Sequence, residues 1–208
     1  MRENYDFIDK KEKQDIRNKV KRFLDMHRDV RFSAAKFEYS LYLDWEQNES
    51  IIEMANKSCP QTEKDLEFKE MIQNAMAAED LLNLMRKELS GSNKSFLRRK
   101  IMGHEIELLP MIKEKCIHNK QDIFIENALH FFMKSNVNCC GWIMEVYSQF
   151  QSEYLKSLFC LVLGFRGDVS MIPFLMEEAG RLEKDYPKEY YDQGPALAVQ
   201  ELAARYFN

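Results

Sequence analysis

Glycine and proline are scarce, with seven and five in 208 residues. Tight turns between strands consume both types, so the shortage weighs against an all-β architecture and for long helices. No strongly apolar run exceeds Leu158-Phe159-Cys160-Leu161-Val162-Leu163, far short of the roughly 20 residues that span a bilayer. The opening Met1-Arg2-Glu3-Asn4-Tyr5-Asp6 is charged and lacks the apolar core of a secretory signal. The expected compartment is therefore cytoplasmic. Five cysteines, Cys59, Cys116, Cys139, Cys140 and Cys160, include no Cys-x-x-Cys pair. That spacing suits neither a disulfide framework nor a zinc site, and buried free thiols are expected, with no metal and no cofactor. A basic surplus is also missing: the net charge is −4, which argues against a dedicated nucleic-acid binder but leaves room for a local patch. Neither a glycine-rich phosphate loop nor a nucleophile elbow occurs.

What is present reads as helix. Between Asp9 and His27, Ile16, Val20, Phe23 and Leu24 share one face. Ala34, Phe37, Leu41 and Trp45 repeat that spacing, and Ile51 to Ala55 reads as a short helix. Ser58-Cys59-Pro60-Gln61 is a break. Thr62 is placed to cap the next helix, with Asp65 in its first turn. Phe68, Met71, Ala75, Ala78, Leu82, Met85 and Leu89 then form a heptad seam. Ile72, Met76, Leu81 and Leu84 broaden it, so a single long bundle helix is expected over Phe68 to Leu89, with homodimerisation through it an open alternative. Ser90-Gly91-Ser92-Asn93 reads as a wet linker, and the main boundary is placed there: an N-terminal helical region over 1–93 and a second region over 94–208.

The second region repeats itself. Glu107-Leu108-Leu109-Pro110-Met111-Ile112, Cys139-Cys140-Gly141-Trp142-Ile143-Met144 and Ser170-Met171-Ile172-Pro173-Phe174-Leu175 align, with Pro110, Trp142 and Pro173 about thirty positions apart. Leu97, Leu129 and Cys160, in the helices expected before each segment, recur with the same period. Asn138 and Asp168 are placed as N-caps, Gly164 and Gly167 bracket a turn, and Pro110 and Pro173 are expected near helix starts. After a tyrosine-rich insertion from Glu183 to Gln193, Gly194-Pro195 opens a last, capping helix. The Leu-Pro-x-Ile and Ile-Pro-x-Leu segments, with Gly164-Phe165-Arg166-Gly167-Asp168 before the latter, resemble HEAT repeats, particularly the short bacterial phycobilisome-lyase-like variety. Gly141-Trp142 departs from that pattern. The resemblance implies an all-α, α-α superhelix of stacked helix pairs over 94–208, second helices on the concave side, joined to the N-terminal helical bundle. It implies no activity, because the scaffold is widely reused.

Candidate sites follow from residue type. Tyr186, Tyr190 and Tyr191 beside Pro187 offer apolar bodies with hydrogen-bonding tips, suited equally to an interface or to a lid on the final repeat. With Trp142 and Arg181 they form the candidate partner-binding set. Lys94, Arg98, Arg99 and Lys100 form a basic edge that could follow a nucleic-acid backbone, as in DNA-repair glycosylases of HEAT type, although Glu105, Glu107 and Glu114 interrupt it. Arg166 and Asp168 are expected to bond neighbouring units. Glu126 and His130 lie one turn apart without a third metal ligand, and a salt-bridged or capping histidine is expected. Cys139-Cys140 opens a helix, where a dipole can acidify a thiol, yet packing beside Trp142 suffices. The leading reading is a non-catalytic protein–protein interaction module; the alternative is a nucleic-acid-binding or repair-type protein.

Overall fold

The computed structural model describes residues 10–27, 54 and 61–207. Among the described residues there are ten α-helices and no strand. The stripe from Ala34 to Trp45, the helix expected over Ile51 to Ala55, and Cys59-Pro60 lie outside them. None of the described helices is long and apolar enough to cross a membrane. The chain divides into two compact units, one of Met1–Phe37 with Lys156–Asn208, the other Glu38–Leu155. The Ser90–Asn93 segment falls inside the second.

In the first unit, α1 (Lys10–Met26) buries Val20 and Phe23 as the spacing predicts, while Ile16 and Leu24 are half-buried. The second unit begins at α2 (Glu63–Asn74). Thr62 caps it in a full capping box: the Asp65 N–H donates to Thr62 Oγ1 and the Thr62 N–H to Asp65 Oδ2, both at 3.1 Å.

The long heptad helix is not formed. It divides into α2 and α3 (Ala78–Leu84), with Ala75 and Ala77 extended between them. Ile72 and Leu81 are both fully buried. Nine residues apart, they would face about 180° away from each other on one straight helix. Breaking the helix lets both point inward. The carbonyls freed at the end of α2 are taken by Lys100, whose Nζ donates to Ile72 O at 2.6 Å and Gln73 O at 2.7 Å.

The Ser90–Asn93 stretch is not a wet linker either. It is the start of α4 (Gly91–Gly103), and Asn93 is buried, donating its Nδ2 to Asp65 O at 2.8 Å. Only His104 separates α4 from α5 (Glu105–His118). Pro110 is therefore the sixth residue of α5 rather than near its start. Proline there removes the helical bond to Ile106 O. Ile106 and Pro110 both face outward, where water can take that bond.

Next come α6 (Asp122–Lys134) and α7 (Cys140–Val146), with a 3₁₀ turn at Tyr147–Gln149. The N-cap position falls at Cys139 rather than at Asn138, whose Oδ1 nevertheless accepts from the Cys140 N–H at 2.9 Å. Trp142 stacks on Phe132 at 5.5 Å and meets Phe150 edge-on at 5.8 Å, giving this end of the unit an aromatic floor.

Helix α8 (Glu153–Arg166) starts at the end of the second unit and runs through the first. Leu158, Phe159, Leu161, Val162 and Leu163 are all fully buried, as their unbroken apolar run predicts. Asp168 caps the 3₁₀ turn Val169–Met171 by accepting from the Ser170 N–H at 2.9 Å. Helix α9 (Ile172–Asp185) follows, with Pro173 in its first turn and Ile172, Leu175, Ala179 and Leu182 as its buried stripe. Helix α10 (Gln193–Phe207) closes the chain, burying Leu197, Val199 and Leu202 as expected, with Phe207 half-buried.

Gly164 lies inside α8, not in the turn after it. A methyl group there would collide with Ala198 of α10, and one at Gly194 would collide with the Ser157 backbone. Both glycines therefore let α8 and α10 approach closely. Arg205 of α10 closes the end of α8: its guanidinium donates to Phe165 O at 2.9 Å and to Gly164 O and Gly167 O at 3.1 Å.

Truncating Leu161 to Ala leaves a cavity in the most buried stretch of α8 and should cost about 2–5 kcal/mol. A urea titration with an unchanged midpoint would show that the segment is not core. Lys100→Met should cost roughly 1–2 kcal/mol by leaving the Ile72 carbonyl without its charged donor, with Lys100→Arg less damaging. Guanidinium unfolding of the three proteins checks the order.

Candidate functional site

The helix break in the second unit makes an open groove of about 360 Å³. Met71 and Ala75 supply its α2 side, and Asp80, Asn83, Leu84 and Lys87 its α3 side. Met71 is 51% exposed, and Met76, in the bend itself, is 79% exposed. Methionine is an adaptable apolar side chain that can repack around varied contacts. The periodicity hid this groove, because a continuous helix over Phe68 to Leu89 has no bend to form it.

The four residues of the basic edge are not gathered on one free surface. Arg98 is buried, 7% exposed, with its Nε donating to Asn127 Oδ1 at 3.3 Å. Lys100 is committed to the α2 carbonyls. Lys94 is half-buried and Arg99 exposed.

The partner-binding set is divided between the two units. Trp142, in the second, is half-buried among Phe132, Phe150 and the Lys113 ammonium, which lies 5.1 Å from its ring. Tyr186, Tyr190, Tyr191 and Arg181 are in the first. The Tyr186 and Tyr191 rings meet at 5.8 Å. Tyr190 has φ 58, the left-handed region that a bulky residue adopts only under constraint, and is 43% exposed. Arg181 holds the buried Glu178 through two bonds, Nε to Oε2 at 2.8 Å and Nη2 to Oε1 at 2.6 Å. Its guanidinium thus serves its own helix. Burial raises the Asp192 carboxyl above its usual range; Glu183 adds to this and His27 opposes it.

Sequence reasoning missed the role of Glu105, a buried carboxylate of the second unit with several hydrogen-bond donors. Its Oε1 accepts from Ser135 Oγ at 2.5 Å and the Asn136 N–H at 2.7 Å, and its Oε2 from Asn136 Nδ2 at 2.8 Å. Burial would raise its pKa, but these bonds outweigh burial and hold it below the ordinary value. Glu105 thereby pins the turn between α6 and α7. Its sequence signal was only a carboxylate in the first turn of α5.

His130 is 2% exposed. Burial first, then the charges of Arg98, Lys94 and Lys134, push its pKa well below the ordinary 6.5, so the ring is neutral. Among the described residues, no three His, Cys, Asp or Glu side chains are grouped to hold a metal. Glu126, one turn before His130, accepts from the Tyr154 hydroxyl at 3.3 Å. Cys139 and Cys140 are buried, and burial drives the Cys116 thiol far above its usual range.

Family models, curated proteins and solved structures contain no match to this chain.

A depressed histidine pKa means that protonation favours the unfolded chain. The stabilising contribution of neutral His130 is complete above pH 6.5, the ordinary value, and is lost as the pH falls toward the folded one. Urea midpoints measured from pH 8 to pH 5 should therefore decline in the native protein and decline less in His130→Leu. Parallel curves for the two would refute the assignment.

Proposed function

We propose that this chain is a non-catalytic protein–protein interaction module, cytosolic, built on stacked HEAT-like helix pairs. The scaffold reading is supported by Leu97, Leu129 and Cys160. Each is the seventh or eighth residue of its helix and fully buried. The proline and tryptophan landmark lends less support, since Pro110, Trp142 and Pro173 stand at the sixth, third and second places of their helices. The cytosolic assignment rests on the thiols of Cys116, Cys139, Cys140 and Cys160, which are buried and unbridged.

One observation carries the interaction role: the groove between α2 and α3, edged by the exposed Met71 and opening at a bend that leaves Met76 in water. Exposed apolar surface around a concavity is what a partner helix or loop covers. The nucleic-acid alternative has less behind it, because Arg98 and Lys100 are spent on internal bonds. Quantitative affinity capture should compare the native chain with Met71→Glu, a substitution at an exposed position. At least one protein retained by the native chain should fall by about tenfold. Identical captured sets would count against the reading.

A further inference from the structure

We draw no further inference here: the strongest candidate, the cluster of basic side chains that Lys94 and Arg98 of α4 and Lys134 of α6 form about the buried His130, rests for its convergence on the depressed pKa of that histidine alone.

Discussion

Every α-helix ends in carbonyl groups with no partner in their own helix, and the way these ends are satisfied governs the structure of this chain. A common solution is a glycine in the left-handed conformation just past the helix. Here no described glycine has positive φ. Long side chains from neighbouring helices serve instead. Lys100 closes α2, and Arg205 closes α8. The end of α3 is shared: Asn127 Nδ2 reaches Met85 O, and Gln121 Nε2 reaches Arg86 O, each at 2.9 Å. Arg17 Nη2 does the same for Phe207 O at 2.7 Å. The scarcity of glycine and the inward use of basic side chains are two sides of one constraint.

Buried carboxylates obey the complementary rule. Glu105 gathers the donors of the α6–α7 turn, and Glu178 is held by the fork of Arg181. Each charge is matched where it is removed from water, which keeps the cost of burial from falling on the fold. Polar residues that look like surface decoration thus fix the angles at which helices meet.

The local content of the sequence was readable: α1 and its buried face, the Thr62 and Asp168 caps, and the buried run in α8. Each depends on residues within a turn or two of one another. The features that escaped depend on distant partners. The break between α2 and α3 needs Lys100, almost thirty residues away, to satisfy the freed carbonyls. Gly164 looked like a turn residue because the opposing Ala198 is remote in the chain. The basic edge looked free because nothing local announces that Arg98 reaches Asn127. The candidate site was hidden for the same reason, since the heptad pattern runs across the bend that creates the groove. The tyrosines were found by composition, whereas the constraint on Tyr190 is a property of the folded backbone.

The contact between α8 and α10 also anchors what lies just before α10. Gly194 rests against the Ser157 backbone, and Ser157 Oγ donates to Tyr191 O at 2.6 Å. The tyrosine-bearing turn is therefore bolted to the middle of α8 at two adjoining points. Those two points hold the C-terminal end of the turn, at Tyr191 and Gly194, against one residue of that helix, Ser157.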